Sequence, residues 1–520
     1  MFANLSYAAV SVLLMAQAPQ GDAPVDAPGA ETSETRSWAE IEERVTRFVD
    51  ASMDELGVVP GLAVAVVTPQ GRYARGFGVA DIRTGRTVDA DTAFYIASTT
   101  KSFTGLAMNI LHNRGDIDLD QSLAAYAPDA PFPAAIDAGT VRLRDLLTHT
   151  HGIAHFPFGY RLAYSGEHDP DTLWNILALS QASEEAPLGQ FEYTNVGYNM
   201  LTLFTDRQTG THWQDILQRE VYDRAGFTRT SSRLSDAERF GWELAMPHRS
   251  THPDGVQALP LSKSDATLHS AGGTIMSARD AARWLEILTT DGMVDGERVF
   301  AARDIMQTRE RLIEVGTVFA GMYGREHYGL GWYIGSYRDE TMVHHFGAFT
   351  GARAHISYLP DRDVGVAVFT NDDTASFYLT DVIANYVYDL VLGDEQALER
   401  AERMVQQLVG DRERELARFV EREQERNNTP WQLSLPPEAY VGVYRSQALG
   451  TMVVSCEDGQ FFVNTGHENP APAQAHTAPE GIRFEILPYR TVSTQFVLND
   501  AGDAVTGFRF RDEFLHRQAD

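Results

Sequence analysis

Cysteine is almost absent from this 520-residue sequence, in which Cys456 is the single example. One thiol cannot form a disulfide within the chain, so a disulfide framework is excluded and the redox compartment stays open. Cys456 ends the strand-like run TMVVSC, and we interpret it as a small buried hydrophobic residue. The chain must therefore be stabilised by hydrophobic cores, and its length favours two or three domains.

Positive charge is also scarce. The chain has 43 Lys and Arg residues against 72 Asp and Glu residues, which gives a formal net charge of −29 and a pI near 4.9. Such an acidic surface repels nucleic acids and anionic membranes, so neither is expected as a partner. Lysine itself is limited to Lys101 and Lys263. Arginine occupies almost every basic position, so a specific role is expected for each of the two positions that have lysine instead.

Long hydrophobic runs are missing as well. The N-terminal apolar run, from Tyr7 to Met15, is too short to span a bilayer. It precedes Ala16-Gln17-Ala18, a small-x-small pattern that suits signal peptidase, although the first basic residue is Arg36. We predict a signal peptide over residues 1–18, a flexible leader over 19–36, and a periplasmic or secreted protein without stable membrane insertion.

Residues 37–393 mix helical and strand-like segments. A helical pattern begins near Trp38, and Ser277 is a candidate helix cap in GGTIMSARDAARWLEIL. GLAVAVVTPQGRYARGFGVAD predicts a strand, a turn at Pro69-Gln70-Gly71 and a second strand, and strand patterns return in YGLGWYIG, ARAHISYLP and VGVAVFTN. Because these strands come from both ends of the segment, they predict a sheet that is assembled from distant parts of the chain and flanked by helices.

Two further regions follow. Glu and Arg alternate around a thin apolar seam over residues 394–429, which predicts a solvated connecting helix. Residues 430–520 contain short β runs separated by Gly, Asn, Asp and Pro, and they predict a small all-β domain, a barrel.

The first candidate catalytic element is Ser98-Thr99-Thr100-Lys101, at the start of a predicted helix. Residues three apart lie one helical turn apart, so Ser98 and Lys101 are expected side by side. A lysine can accept the proton that keeps a serine hydroxyl from acting as a nucleophile, whereas arginine cannot. The free N–H groups of a helix start can also stabilise an oxyanion. Taken alone, the motif also fits an N-cap serine followed by a solvated lysine.

Tyr193-Thr194-Asn195, within FEYTNVGY, is the second element. A lysine ammonium nearby favours a phenolate, so Tyr193 can serve as a general base. Asn195 offers an amide to a substrate. An ordinary packed aromatic is the alternative for Tyr193, and Tyr198 is a competing candidate that no asparagine follows at the same spacing.

The third element, within HHFGAFTGARAHISYLP, is His345-Phe346-Gly347 followed by Gly351 and a strand. This pattern predicts a polar side chain and accessible backbone at a sheet edge, where glycine permits the close approach of a ligand. A buried core histidine is the alternative for His344 or His345.

In order and spacing, these elements resemble the class C branch of the serine β-lactamase and penicillin-binding protein superfamily. That branch includes class C β-lactamases, DD-peptidases, D-aminopeptidases and related carboxylesterases. LLTHTHGI at 146–153, AGGTIMSARD at 271–280 and YGLGWYI at 328–334 add to the resemblance, which covers roughly residues 40–390. It implies an α+β fold for residues 37–393, in which an antiparallel sheet is flanked by helices and joined to an all-helical subdomain. Residues 430–520 resemble a lipocalin-like barrel.

The resemblance also implies a role for each matching residue. Ser98 would be the nucleophile, Lys101 its activator, and Tyr193 the general base that later protonates the leaving group. The backbone N–H groups of Ser98 and Ala348 would form the oxyanion hole.

Asn195, His345 and Gly347 would bind the substrate. His345 departs from the pattern, because typical β-lactamases have at this place a lysine that pairs with the carboxylate of a β-lactam. Histidine and Phe346 suit the peptidases and esterases of the branch better, so efficient β-lactam hydrolysis is not expected.

The resemblance thus predicts a serine hydrolase that acts through an acyl-enzyme on Ser98, without a cofactor. A peptidase or amidase for D-amino-acid-like groups is favoured, with a small molecule or short peptide as its substrate and the oligomeric state open. Two alternatives remain: a carboxylesterase of the same family, and a penicillin-binding or sensor protein that stays acylated.

A metallohydrolase is the alternative from another class. His149, His151, His344 and His345 could supply imidazole ligands. No carboxylate follows His151 at metal-ligand spacing, however, so no metal site is predicted.

Overall fold

The computed structural model of the protein describes residues 36–466 and 470–519. The predicted signal peptide, and the predicted leader except for Arg36, lie outside the described residues.

Helices occupy much of the chain before the C-terminal strands. Those in the described ranges are α1 (Trp38–Leu56), α2 (Thr100–Arg114), α3 (Leu123–Tyr126), α4 (Leu143–Leu147), α5 (Phe156–Tyr160), α6 (Pro170–Ile176), α7 (Asn195–Thr209), α8 (Trp213–Leu217), α9 (Asp223–Ala225), α10 (Ser235–Arg239), α11 (Ala278–Thr289), α12 (Ala302–Thr308), α13 (Leu379–Val391) and α14 (Ala397–Asn427). Single 3₁₀ or π turns lie at Ala97–Thr99, Arg161–Ser165, Leu177–Leu179, Gln218–Tyr222, Pro360–Arg362 and Pro437–Ala439. In these described ranges no helix has both the length and the apolar character that crossing a membrane requires.

Eighteen strands precede α13 in the described ranges. They are β1 (Gly61–Thr68), β2 (Gly71–Asp81), β3 (Arg86–Thr87), β4 (Ala93–Tyr95), β5 (Ile153–Ala154), β6 (Gln181–Ala182), β7 (Thr230–Ser231), β8 (His248–Arg249), β9 (Gln257–Ala258), β10 (Ile275–Ser277), β11 (Met293–Val294), β12 (Glu297–Arg298), β13 (Ile313–Phe319), β14 (Tyr323–Tyr328), β15 (Tyr333–Tyr337), β16 (Glu340–Phe349), β17 (Ala352–Leu359) and β18 (Val364–Thr370).

The largest sheet has nine strands in the order β13-β14-β15-β16-β17-β18-β1-β2-β3. Its neighbours are antiparallel, and β1 pairs with β18 from Leu62 opposite Thr370 to Val67 opposite Gly365. Every residue of β1 is buried, because α11 covers one face of the sheet while α1 and α13 cover the other. This explains why GLAVAVVT is a continuous apolar run without alternation.

Helices α2 to α10 form the helical region beside the sheet. Its central helix, α2, is buried along most of its length, from Thr100 to Leu111. Packing on all sides fixes the N-terminal end of α2 next to β16, which positions Ser98.

The C-terminal part of the chain is a closed barrel of eight strands. The strands are β19 (Gly442–Ser446), β20 (Gly450–Glu457), β21 (Gln460–Asn464), β22 (Ala471–Ala475), β23 (Gly481–Leu487), β24 (Arg490–Leu498), β25 (Val505–Phe510) and β26 (Glu513–Arg517). The α+β class, with an antiparallel sheet flanked by helices and a terminal barrel, is confirmed. Cys456 is only partly buried, because it lies near the end of β20 beside the β20–β21 turn, so the expectation of a fully buried residue was wrong.

The hairpin that joins β23 to β24 is one of the places where the barrel contacts the rest of the protein. Leu487, at the end of β23, forms a buried cluster with Ala97 of the Ser98 turn and with Phe349 at the end of β16. Arg490 forms an ion pair with Asp373 at 2.8 Å. The barrel therefore forms part of the surroundings of Ser98.

Candidate active site

Ser98 lies in the 3₁₀ turn that leads into α2. The preceding Ala97 has a left-handed backbone with φ of 46°. Two side chains fix the turn, because the Thr99 hydroxyl donates to Ile96 O at 2.8 Å and the Thr100 hydroxyl donates to Ala97 O at 2.7 Å. As a result, Ser98 is partly exposed while its neighbours are buried. Strained backbone of this kind is common at functional sites.

The Lys101 ammonium position is set by three oxygen atoms. Its Nζ atom lies 3.3 Å from Ser98 Oγ, 2.7 Å from Asn195 Oδ1 and 2.8 Å from Ala271 O. The side chain is completely buried, and no carboxylate lies within ion-pair distance of it in the described ranges. Burial lowers the pKa of Lys101 well below its ordinary value of 10.5. The site therefore favours a neutral amine next to Ser98.

The Ala271 carbonyl reaches Lys101 because the segment AGGT is fastened to α2. The Thr104 hydroxyl donates to Ser270 O at 2.7 Å, and Thr274 N donates to Thr100 Oγ1 at 3.1 Å. Ala271 N in turn donates to Asn199 Oδ1 at 3.3 Å. The sequence singled out AGGTIMSARD only as part of the family resemblance, since a backbone acceptor leaves no residue-specific signal.

Tyr193 and Asn195 stand at the start of α7, where Thr194 caps the helix by accepting from Val196 N at 3.2 Å. The Asn195 side chain accepts from Lys101 and so holds the amine. The centre of the Tyr193 ring lies 4.8 Å from Lys101 Nζ.

The surroundings of the Tyr193 hydroxyl disfavour its phenolate form. Burial raises the pKa of Tyr193 well above its ordinary value of 10, and the nearby Ser98 side chain offsets only part of that increase. The hydroxyl has no hydrogen bond of standard geometry in the described ranges. The role of Tyr193 as a general base favoured by the lysine charge stays a prediction, and burial works against the charged forms of both side chains.

His149 holds the backbone on both sides of Tyr193. Its carbonyl accepts from Glu192 N at 2.9 Å, and its Nδ1 accepts from Thr194 N at 3.3 Å. The backbone of His149 is left-handed, with φ of 60°. Sequence reasoning considered this residue only as a metal ligand and missed its contact with the Tyr193 segment.

One chain of hydrogen bonds joins His149 to His345. Tyr328 Oη lies 3.3 Å from Nε2 of each histidine, and His345 Nδ1 donates to Phe346 O at 2.7 Å. Since His149 Nδ1 accepts from Thr194, its Nε2–H donates to Tyr328, and Tyr328 donates to His345 Nε2. Burial lowers the pKa of both histidines well below 6.5, in agreement with two neutral rings.

His345 is therefore a neutral side chain with both ring nitrogens in hydrogen bonds, completely buried below the strand edge. Its assignment to substrate binding stays a prediction. Burial disfavours a positive charge at this position.

The strand edge beside Ser98 is formed by Gly347 and Ala348. Pairing of β16 with β15 ends at His344, so the next residues have β17 on one side and the Ser98 turn on the other. A Cβ atom on Gly347 would lie 1.9 Å from Ile96 O and 3.2 Å from Ser98 N. This close approach requires glycine. It brings the two predicted oxyanion donors, Ser98 N–H and Ala348 N–H, onto adjacent backbone segments.

The remaining histidines of the metallohydrolase alternative are also engaged. His151 Nδ1 accepts from Ile153 N at 3.0 Å, and His344 Nε2 accepts from Arg325 Nε at 3.3 Å. In the described ranges, the group with metal-ligand spacing is His112, Asp118 and Asp120, which lies on the surface away from Ser98. Its Asp120 is already bound by Arg144, at 2.6 and 2.9 Å.

Comparison with known proteins identifies the family of the chain. The β-lactamase family model matches residues 45–386. Penicillin-binding protein 4 of Amycolatopsis lactamdurans is 26% identical over 337 residues, which are 64% of this chain and 86% of that protein. An unguisins hydrolase of Aspergillus campestris is 23% identical over 353 residues, 64% of this chain. The match spans less than two thirds, 62%, of the length of that hydrolase.

Two solved structures share the fold. The octameric penicillin-binding protein homologue from Pyrococcus abyssi has a TM-score of 0.56 at 21% identity, and the match covers 91% of this chain and 99% of that one. The D-amino acid amidase from Ochrobactrum anthropi SV3, complexed with D-phenylalanine, has a TM-score of 0.56 at 20% identity. Here the match covers 69% of this chain and 99% of the amidase. Since the family model spans well over half of the sequence, the chain belongs to the β-lactamase family of hydrolases, within the serine β-lactamase and penicillin-binding protein superfamily.

Proposed function

We propose that the protein is a serine hydrolase that forms an acyl-enzyme on Ser98 and cleaves amide bonds in D-amino-acid-like substrates. The observation that carries the proposal is the environment of Lys101. This amine is buried, lies 3.3 Å from Ser98 Oγ, and has neutral oxygen acceptors in place of a carboxylate. Such a lysine can take up a proton from serine, which a solvated lysine at neutral pH cannot do.

Acylation follows from these contacts. A neutral Lys101 donates its two N–H bonds to Asn195 Oδ1 and Ala271 O, so its lone pair is left for the Ser98 hydroxyl. As Ser98 Oγ bonds to the substrate carbonyl carbon, its proton moves to Nζ. The negative charge that develops on the carbonyl oxygen is received by the N–H groups of Ser98 and Ala348.

Tyr193 serves as the proton donor in this proposal. Its phenol stays protonated because burial raises its pKa, so it can donate to the leaving nitrogen as the C–N bond breaks. The Lys101 ammonium lies beside the Tyr193 ring. It then transfers its proton to the Tyr193 phenolate, and Lys101 becomes neutral again. Water attacks the acyl carbon by the same steps in reverse, and Ser98 is regenerated.

The substrate class is supported by the relatives. These relatives include a penicillin-binding protein, a hydrolase named for unguisins and a D-amino acid amidase. The neutral His345 also lacks the charge that pairs with a β-lactam carboxylate, so we propose peptides and amides ahead of β-lactams.

The test compares wild type with Ser98→Ala. Substrates are a D-alanyl p-nitroanilide, a p-nitrophenyl ester and a chromogenic cephalosporin, and intact mass detects an acyl adduct. Loss of the nucleophile should reduce turnover on the order of 10⁶-fold. Ser102→Ala is the matched control, since the Ser102 hydroxyl donates to the backbone carbonyl of Thr99, three residues earlier in the chain, and it should keep wild-type rates.

The outcomes separate the possible functions. Ser98-dependent cleavage of the anilide supports the proposal. Cleavage of the ester alone would move the protein to the carboxylesterases, and a lasting adduct without turnover would make it a binding protein. Wild-type rates in Ser98→Ala would refute the assignment of Ser98 as the nucleophile of this site.

Lys101 gives a second test. Because the neutral amine is the active form and its pKa is lowered, the acylation rate should rise with pH through that lowered pKa and stay high above it. Lys101→Arg should be inactive at every pH, since arginine does not release its proton. An active arginine variant would show that the lysine acts only through its charge.

A further inference from the structure

Tyr328, the last residue of β14, begins the segment YGLGWYI, to which the proposed acylation gives no role. Its side chain is completely buried, where a phenol hydroxyl normally needs a partner. The hydroxyl lies 3.3 Å from Nε2 of His149 and 3.3 Å from Nε2 of His345. The first histidine belongs to the helical region and the second to β16. These three side chains therefore form a bridge, the His149–Tyr328–His345 bridge, between the two parts of the protein that meet at Ser98.

One end of the bridge holds the segment that carries Tyr193. His149 Nδ1 accepts from Thr194 N at 3.3 Å, and His149 O accepts from Glu192 N at 2.9 Å. The His149 ring also packs against the Tyr193 ring, with 4.6 Å between the ring centres. Because one histidine contacts the backbone before Tyr193, the backbone after it and the ring itself, a displacement of His149 displaces the Tyr193 hydroxyl.

The other end of the bridge holds the edge of β16. His345 Nδ1 donates to Phe346 O at 2.7 Å. That carbonyl belongs to the peptide that joins Phe346 to Gly347, and Gly347 packs directly against the Ser98 turn. Ala348, whose N–H is the proposed oxyanion donor, is the next residue. The position of the His345 ring is therefore tied to the backbone that receives the oxyanion.

The middle of the bridge is fixed to α2. A Cβ atom on Gly331 would lie 2.3 Å from Lys101 O, and a Cβ atom on Gly105 would lie 2.2 Å from Leu330 O. The two glycines thus allow the turn between β14 and β15 to rest directly on the helix that carries Lys101. Since Tyr328 immediately precedes this turn, its hydroxyl keeps a fixed place relative to the amine.

The hydrogen bonds of the bridge all run in one direction. The donors follow one another in the order Thr194 N–H, His149 Nε2–H, Tyr328 Oη–H and His345 Nδ1–H, and the last acceptor is Phe346 O. Bonds in such a chain polarise and strengthen one another. Both ring nitrogens of each histidine are used, so neither ring can turn without breaking two bonds.

We propose that Tyr328 is a positioning residue, which sets the Tyr193 hydroxyl and the β16 edge relative to each other through His149 and His345. Tyr193 gives a proton to the leaving atom, while Ala348 N–H receives the charge on the carbonyl oxygen. Both groups must meet the same scissile bond, so their separation has to be constant. This inference rests on the proposed acylation of Ser98.

The experiment compares wild type with Tyr328→Phe, which removes one oxygen atom and keeps the buried ring. The substrates are the p-nitrophenyl and phenyl esters of N-acetyl-D-alanine and of D-alanine, and kcat/KM reports acylation. A p-nitrophenolate leaves without a proton, whereas the more basic phenolate needs one from Tyr193. In Tyr328→Phe we expect kcat/KM to fall about 10-fold for the p-nitrophenyl esters and about 100-fold for the phenyl esters.

The ratio of kcat/KM between the two leaving groups is the decisive quantity, and it should rise about 10-fold in the variant. Both rates come from one preparation. A loss of folded protein therefore lowers them equally and does not change the ratio. A role in stability alone would for this reason leave the ratio at its wild-type value.

His149→Asn breaks the bridge at a second place, and it replaces Tyr328→Phe if that variant fails to fold. The asparagine Oδ1 can still accept from Thr194 N, and asparagine tolerates the left-handed backbone that φ of 60° requires here. Its side chain is too short to reach Tyr328, so the ratio should rise as in Tyr328→Phe. The double variant should not exceed either single one, because both remove the same connection.

Tyr337→Phe is the matched control. The Tyr337 hydroxyl is also buried and also makes two hydrogen bonds, to Asn385 O at 3.1 Å and to the Asp389 carboxylate. Tyr337 pairs with Glu340, however, at the end of β16 that lies away from Gly347. This variant should keep the wild-type ratio.

Every result supports or overturns the bridge. A wild-type ratio in Tyr328→Phe, or a change in only one of the two bridge variants, would overturn it and leave the Ser98 chemistry intact. An equal change in Tyr337→Phe would also overturn it, since any lost buried hydroxyl would then suffice. Absence of Ser98-dependent turnover of all four esters in wild type would overturn both proposals.

Discussion

Lys263, the other lysine of the chain, is buried as Lys101 is, and also lacks a carboxylate partner in the described ranges. Its ammonium donates to Ala163 O at 2.8 Å and Thr267 O at 3.1 Å, and Nζ lies 4.0 Å from the centre of the Phe349 ring. Burial lowers the pKa of Lys263 to about 7. Both lysines therefore occupy sites where the proton can be lost, which explains why arginine does not replace them.

This environment predicts a pH-dependent stability. Between about pH 7 and its ordinary pKa of 10.5, Lys263 is neutral in the folded protein but protonated in the unfolded chain. The free energy of unfolding should therefore rise with pH in that window, by up to about 1.4 kcal/mol per pH unit from this residue. Below about pH 7 both states bind the proton and the contribution is constant.

Lys263→Met removes the titrating group and gives the comparison. The stability of wild type relative to this variant should be flat below about pH 7 and should increase above it, as measured by urea unfolding. A constant difference across the alkaline range would show that Lys263 is charged when folded.

The residue-level assignments show what local sequence can predict. Ser98 and Lys101 were predicted as neighbours because helical spacing alone brings them together. The hydrogen-bond partners of Lys101 were not predicted, because Ala271 O belongs to a segment 170 residues away in the sequence.

At the scale of single elements, the contact between β16 and the Ser98 turn depends on Gly347. Gly347→Ala would place a methyl group 1.9 Å from Ile96 O, so the strand must move away from the turn. A displacement of about 1 Å between nucleophile and oxyanion donors should lower kcat about 100-fold, with the fold retained by circular dichroism. Gly159→Ala, where a methyl group meets nothing within 4 Å, should be neutral. Full activity of Gly347→Ala would mean that β16 does not set the oxyanion geometry.

Elements with local signals were predicted well. Ser277 caps α11 by accepting from Asp280 N at 3.2 Å, as expected, and the strands of GLAVAVVTPQGRYARGFGVAD form the hairpin β1–β2. The turn at Ala97–Thr99 was missed, and α2 begins at Thr100 instead of Ser98. Its left-handed Ala97 is held by a tertiary contact, Ile96 N to Thr274 O at 3.0 Å, which the local sequence does not encode.

At the scale of the whole molecule, Arg161 joins the helical region to the barrel. Its guanidinium donates to Ala448 O at 2.7 Å and Gln447 O at 2.8 Å, and only 5% of the residue is exposed. Arg161→Met leaves two carbonyls unpaired at this contact, which should cost about 2–4 kcal/mol. We expect calorimetry to show a separate, earlier transition for the barrel.

Arg445→Gln provides the control, because Arg445 is exposed on the barrel and donates to Thr451 within it. It should melt like wild type. A single unshifted transition in Arg161→Met would mean that the barrel is held by its other contacts. Composition predicted that a barrel exists, but its site of attachment depends on residues almost 300 positions apart and was therefore beyond local patterns.

The pairing of β1 with β18 has a consequence for biosynthesis. The ribosome releases the apolar β1 early, whereas β18 follows about 300 residues later. At roughly 5–20 residues per second, this delay is about 15–60 s. During that time the β1 edge has no native partner and can pair with neighbouring nascent chains. We expect a holding chaperone to bind the nascent chain in this interval. The yield of native protein should fall when nascent chains are made faster than the chaperone can bind them.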